Sequence, residues 1–265
     1  MTRRLFKYVI ACLFTLQAGL VNAHEFWISP SAYSISTSEN LSVNLRNGED
    51  FVGVFLPFYP PIIERFELHA APGSVKLGRT PGDKPAAALK NLPDGLTVAL
   101  YQSTTQNIKY EELAKFEKFA KAHDLSAAIA DGNLKTPISE DYRRYSKMLI
   151  GVGSSQGSDK YRGMEFELVA ITNPYFPAGR DSITFELLYQ GKPMPDRQVE
   201  LFDRKIGQTN GTPHDIYRTD ASGRVKLPVQ AGFEYLVNAV QIRPSPDVET
   251  WESLWASATF AIPEE

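Results

Sequence analysis

Apolar and polar residues alternate in short runs over most of this chain, and turn residues cut the runs at regular intervals. Residues 40–46 alternate strictly and then reach Asn47-Gly48, a strong turn pair. Residues 51–58 are mostly apolar and end in Pro57 and Pro60-Pro61. Further strands are predicted over 64–70, 74–77 and 96–102, with Pro72-Gly73, Pro81-Gly82 and Pro93-Asp94-Gly95 between them. The period then changes. Over 109–130, Leu113, Phe116, Phe119, Ala120 and His123 recur at three- and four-residue steps, which predicts an amphipathic helix stopped at Asp131-Gly132-Asn133. A second helix is expected from Ser139, an N-cap residue followed by Glu140 and Asp141, with Tyr142, Tyr145 and Leu149 as its apolar face. Residues 151–159 read as a flexible connector.

Beyond Gly163 the strand pattern returns over 164–171, 182–189, 198–203, 215–219, 223–229, 235–242 and 254–262. Turns at Gln190-Gly191-Lys192-Pro193 and Asp220-Ala221-Ser222-Gly223 punctuate it. Seven strands in about 100 residues is the count of one sandwich. The pattern thus predicts a mainly β protein: two β-sandwich domains, immunoglobulin-like or transthyretin-like, with a two-helix insertion between them. The expected divisions are an N-terminal β domain at 24–108, a helical insertion and Gly/Ser linker at 109–162, and a C-terminal immunoglobulin-like sandwich at 163–265. No short fixed repeat is present, which argues against a solenoid or propeller.

Residues 1–23 follow a different grammar. Arg3, Arg4 and Lys7 precede the apolar run 8–20, which is too short to span a bilayer, and Val21 and Ala23 stand at the −3 and −1 positions of a signal-peptidase site. This predicts a signal peptide cut after Ala23 and a periplasmic protein. The alternative, a lipoprotein anchored through Cys12, is weakened because Lys7 leaves little apolar chain ahead of Val9-Ile10-Ala11-Cys12. Arg3-Arg4 is only a weak twin-arginine hint. Cys12 is the single cysteine, so the mature chain of 242 residues (265 less 23) has neither disulfide nor thiolate ligand. Without the leader's three cations the balance is 25 Lys+Arg against 31 Asp+Glu, a net charge of −6. That argues against nucleic acid as a partner.

The predicted cut changes the chemistry of one residue. His24 becomes the first of the mature chain, and its α-amine and imidazole can close a chelate ring on one metal ion. Such nitrogen donors suit copper, nickel and zinc. Of the other histidines, His69 alternates with apolar residues in 66–70 and His214 lies in the loop 212–215. Both are candidates for a second ligand, with His69 slightly preferred because it shares the N-terminal domain with His24. His123 reads as a solvated or packed helix residue. Trp27, Trp251 and Trp255 are binding-surface candidates: two tryptophans four apart in a strand project to one face, as a glycan platform would require. A core would use the same spacing. Gly151-Val152-Gly153 lacks the strand before it and the Lys-Ser/Thr ending of a phosphate loop. No nucleophile elbow is present, and Glu111-Glu112 and Glu140-Asp141 fit helix starts better than acid–base catalysis. Nothing in these motifs compels an enzyme.

Six segments together carry a resemblance. They are His24-Glu25-Phe26-Trp27, Tyr142-Arg143-Arg144-Tyr145-Ser146-Lys147, Asn173-Pro174-Tyr175, Leu188-Tyr189-Gln190-Gly191-Lys192-Pro193, Arg218-Thr219-Asp220-Ala221-Ser222-Gly223-Arg224 and Trp251-Glu252-Ser253-Leu254-Trp255-Ala256-Ser257. Over nearly the whole mature length the chain resembles a bacterial family of exported domains of unknown function, often labelled nickel-uptake or cobalt-transport periplasmic components. The resemblance implies a β-rich periplasmic protein that handles a metal. It departs where members often carry a histidine, since this chain reads Val240-Gln241-Ile242. The leading expectation is a non-enzymatic protein binding one nickel, cobalt or copper ion and working with a membrane uptake system. An alternative is a secreted glycan- or protein-binding module on the tryptophan face. A remote one is a copper oxygenase built on the amino-terminal histidine, which needs a second histidine on the same metal.

Overall fold

The structure, a computed structural model, describes residues 24–264 apart from 131, 133, 178–179, 212 and 246–249. The predicted leader and Cys12 lie outside the described residues. In chain order the strands begin with β1 (Glu25–Pro30), β2 (Ser34–Ile35), β3 (Leu41–Glu49), β4 (Val52–Leu56), β5 (Ile63–Ala70), β6 (Gly73–Lys76), β7 (Ala87–Leu89), β8 (Gly95–Ser103) and β9 (Gln106–Tyr110). Helices α1 (Leu113–Ala122) and α2 (Ser126–Ile129) follow. Then come β10 (Ile138–Val152), β11 (Phe166–Ala170), β12 (Ser182–Tyr189), β13 (Lys192–Pro193), β14 (Gln198–Lys205), β15 (Asp215–Arg218), β16 (Arg224–Pro228), β17 (Phe233–Pro244) and β18 (Thr250–Ile262).

One long sheet runs through both halves of the chain in the order β15-β14-β17-β18-β10-β8-β5-β6, with β2 and β9 also pairing on β10. Two four-stranded sheets cover it: β1-β3-β4 with β7, and β11-β12-β13 with β16. Side-chain alternation shows which cover lies on which face. In β8, Leu96, Val98 and Leu100 belong to the core beneath the β11–β12 sheet, while Ala99 and Tyr101 belong to the core beneath the β1–β3 sheet. In β10, Tyr145 and Leu149 go to the first core and Met148, Ile150 and Val152 to the second. Strands covered on both faces are largely apolar, and β8 is buried along its whole length, Thr97, Gln102 and Ser103 included. Both expected sandwiches are therefore present, but they share their middle sheet. The division expected at 162/163 separates two covers, not two free-standing cores.

The second helix is corrected to a strand. Tyr142, Tyr145 and Leu149 match a helical period, yet 138–152 is the long β10, parallel to β18 from Ser139–Thr250 to Met148–Thr259. Its last residues, Met148-Leu149-Ile150-Gly151-Val152, are contiguous apolar chain between two covers. Its charged half acquires cross-strand partners, such as Asn107 Nδ2 on Asp141 Oδ1 at 2.7 Å. Both helices lie instead within the first predicted helical stretch, which α1 and α2 divide at His123–Leu125.

The expected flexible connector is tied down. Asp94 accepts from the Ser154 amide at 2.6 Å, and Asn173 Nδ2 donates to the carbonyls of Ser155 and Gly157. Asp159 receives the Lys147 ammonium at 2.8 Å, with Glu167 at 2.6 Å from the same nitrogen, all three side chains buried. Asn47-Gly48 is not the turn either. The chain reverses at Asp50-Phe51, both left-handed, while Gly48 faces Gly53 across the ladder. A Cβ on Gly48 would sit 2.3 Å from the Gly53 Cα, so glycine here permits close approach of two strands.

Candidate functional site at the start of the first strand

The first strand belongs to a cover but lies across the middle sheet, and side chains of β10 and β18 satisfy its carbonyls. Ser257 Oγ donates to the Phe26 carbonyl and Thr259 Oγ1 to that of Ile28, each at 2.7 Å. Arg144 Nη2 donates to the His24 carbonyl at 3.3 Å. Arg144 pairs with Trp255 in the ladder, so His24 stands over the Arg144–Trp255 position. Alternation sends Phe26 and Ile28 into the N-terminal core. Trp27 turns the other way, into a small core with Phe51, Phe202 and Leu236.

Glu25 is buried beside this second core, its Oε2 without a hydrogen-bond partner among the described residues. Burial pushes its carboxyl up to about 8, helped by the negative charges of Glu200, Asp50 and Glu49. Glu200 is also buried, which alone would raise it. The charge and hydrogen bond of His123 Nδ1, 2.7 Å away, together with Asn238 Nδ2 at 2.8 Å, hold it below the usual carboxylate range. Glu140 completes the acidic set. Burial raises it, while the Ser253 hydroxyl, itself accepting from Trp255 Nε1 at 2.9 Å, donates to its Oε1. Burial lowers Arg144 from its ordinary range, with Glu25 and Glu140 opposing that shift. Three buried carboxyl groups, one histidine and one arginine thus lie within electrostatic reach of one another at the head of β1.

His24 borders this cluster, and its Nδ1 is buried with no hydrogen-bond partner among the described residues. That nitrogen is the one which, with an α-amine, closes the chelate ring of an amino-terminal histidine. His214 lies at the rim, its ring 4.9 Å from that of Phe202 and its Nδ1 4.0 Å from Asp50 Oδ1, and its charge reaches Glu200. His69 is placed elsewhere. It pairs with Val98, five residues along β8 from the Ser103 that bonds Arg144, or roughly 16 Å at strand rise. There its Nε2 meets Glu67 Oε2 at 2.9 Å, and burial lowers its pKa. Of the two histidines expected as a second ligand, His214 thus lies nearer the cluster than His69. His123, set aside in the sequence, is the histidine most deeply engaged with the cluster. Its signal was position on the apolar face of the helix, which the structure turns toward Trp255 at 5.2 Å between rings.

The tryptophans pack instead of forming a platform. Trp27 is fully buried, and Trp251 and Trp255 lie beneath α1 and α2 against Phe116 and Phe119. Among the described residues no three His, Cys, Asp or Glu side chains stand close enough to hold a metal ion unaided. None of the described helices is long and apolar enough to cross a membrane.

No curated protein matches the chain significantly. Among solved structures it is similar to the D0-D1 domain of intimin, at 13% identity and a TM-score of 0.22, covering 89% of this chain and 97% of that one. A family model described as a domain of unknown function, DUF4198, matches residues 21–243. Most of the β1 cluster and every strand from β1 to β17 start within that span, and the chain belongs to this family.

Proposed function

We propose that this is an exported, periplasmic, non-enzymatic protein that binds one transition-metal ion (nickel, cobalt or copper) through His24 and works with a membrane uptake system. Removal of residues 1–23 frees the α-amine of His24, and the amine and Nδ1 supply two nitrogen donors of the kind these ions prefer. The observation that carries the reading is the unpartnered Nδ1 of His24. A buried polar atom without a partner costs stability, and such an atom in a native fold calls for a role.

The surroundings can accommodate a cation: Glu200 is held charged beside His123, with Asp50 and Glu49 at the rim, and the buried Glu25 and Glu140 carboxyls can give up a proton when a positive ion arrives. A third donor comes from the His123 or His214 side, since both act on Glu200 and His69 does not. Because no full ligand set stands preassembled among the described residues, binding includes a local rearrangement around His24.

Metal titration by calorimetry of protein exported with its own leader tests the reading, with His24→Ala, His123→Ala, His214→Ala and His69→Ala in parallel. His24→Ala abolishes binding, one of His123→Ala and His214→Ala weakens it, and His69→Ala leaves it unchanged. Uptake indifferent to His24→Ala sinks the proposal.

A further inference from the structure

A separate cavity of about 210 Å³ opens between the two sheets of the N-terminal sandwich. Phe26, Leu45, Leu56, Ile62, Tyr101 and Tyr142 form its apolar wall, while Arg144, Ser103 and Gln106 give it a polar end. Arg144 is the unusual member. Other part-buried guanidiniums such as Arg204 and Arg243 have carboxylates, Arg204 with Glu234 at 2.8 Å and Arg243 with Glu252 at 2.7 Å and Glu165 at 3.1 Å, and only Arg46 resembles Arg144 among the described residues in lacking an ion pair while keeping a buried Nε with no partner. Arg144 has no such ion pair among the described residues. It lies over the rings of Tyr142 and Phe26 at 5.0 and 5.6 Å, gives one bond to the His24 carbonyl, and keeps a buried Nε with no partner. A guanidinium carries five N–H donors, so most of its capacity is unspent. Ser103 Oγ accepts the Arg144 amide at 3.0 Å, which leaves its own proton to donate.

We propose that this cavity binds a small organic carboxylate with an apolar body, its charge paired with Arg144 and its hydrocarbon part held among Phe26, Leu56, Ile62 and Tyr101. Arg–carboxylate pairing is bidentate and charge-assisted, and the cavity walls keep water from competing. Neither Glu25 nor Glu140 is among the residues that line the cavity, so neither takes the place of such a ligand. The volume sets the size. A cavity of roughly 150 Å³ holds benzene, and drug-sized ligands need roughly 300 Å³ or more. A single ring or a short chain bearing one carboxylate fits between these limits. The larger cleft of about 480 Å³ near Tyr33 offers less: of its two arginines, Arg204 is already neutralised by Glu234, and the Glu234 carboxylate that lines the cleft opposes an anion beside Arg46.

Benzoate and its uncharged counterpart benzyl alcohol are the probes, titrated by calorimetry into the leader-processed protein in a chelating buffer. Benzoate binds once per chain, and Arg144→Gln weakens it by about 10- to 100-fold, the loss expected for one charged hydrogen-bonded contact. Benzyl alcohol binds more weakly and does not respond to Arg144→Gln. Ile62→Trp fills the cavity from a part-exposed position and removes both ligands with the β spectrum unchanged, which covers the case in which the arginine variant fails to fold. His24→Ala retains benzoate, so this site and the metal reading fail or stand separately. The proposal is overturned if benzoate does not bind at millimolar concentration, or binds Arg144→Gln and wild type alike.

Discussion

Replacing Glu25 by glutamine isolates the electrostatic cost of starting β1 with a buried acid. Glu25 is only 8% exposed, and its pKa rises from 4.5 to about 8 because burial and the neighbouring Glu200, Asp50 and Glu49 disfavour the charged form. The folded chain therefore holds this proton more tightly than the unfolded chain does. The contribution is fully present below about pH 4.5 and is lost as pH rises toward the folded value near 8. At 1.36 kcal/mol per pKa unit the loss is about 3 kcal/mol at pH 7 and about 5 kcal/mol from pH 8 upward. Glutamine is neutral throughout and fills nearly the same space, so Glu25→Gln escapes that loss. Urea unfolding of both proteins at pH 5, 7 and 8.5, without metal, reads the difference directly. Other groups that titrate over this range, the histidines included, largely cancel between the two curves. The variant gains on wild type steadily as pH rises. A difference that stays flat, or a variant that becomes relatively less stable at pH 8.5, refutes the placement of Glu25 among buried acids.

Three further outcomes follow from the packing. Lys147→Met removes the cation between the buried Asp159 and Glu167, leaving Asp159 only the longer Arg162 contact at 3.8 Å, and costs about 3–5 kcal/mol by denaturant unfolding; a cost below about 1 kcal/mol contradicts the buried triad. Trp251→Ala empties the space beneath α1 beside Phe116 and costs about 3–5 kcal/mol by the same assay, while a glycan array shows no signal to lose. Gly53→Ala places a Cβ 2.4 Å from the Asn47 carbonyl and 2.7 Å from Trp27 Cη2, so it lowers stability by about 1–3 kcal/mol. A neutral alanine at that position means β3 and β4 do not approach as closely as described.

Most of the strands were legible because their signal is local. The runs over 182–189 and 198–203 largely alternate and that over 235–242 is mostly apolar, each between clear turns, and the structure has β12, β14 and β17 there. β10 was misread because its two halves obey different rules. Residues 139–147 place charges and tyrosines at spacings a helix also uses, and only the run Met148-Leu149-Ile150 betrays a strand covered on both faces. Propensity cannot see that β18, more than 100 residues away, supplies its partner. The site was half legible. His24 stood out through the predicted cut, but its neighbours arrive from α1, β10, β14 and β18. Glu200 and Glu140 look like ordinary polar strand and helix-start residues until β1 is laid over them. The tryptophans misled for a related reason: four-residue spacing in a strand fixes a common face, and what covers that face is decided by the helices.

The measurement closest to the central claim is the native mass of protein exported with its own leader and exposed to equimolar Cu²⁺, Ni²⁺ and Co²⁺. An added amino-terminal tag or a residual methionine would remove the proposed chelate, so the natural cut is required. A mass beginning at His24 with one ion retained, and the same mass without the ion in His24→Ala, is the expected result. A chain that begins elsewhere, or one that begins at His24 and retains none of the three ions, contradicts a metal role for this histidine.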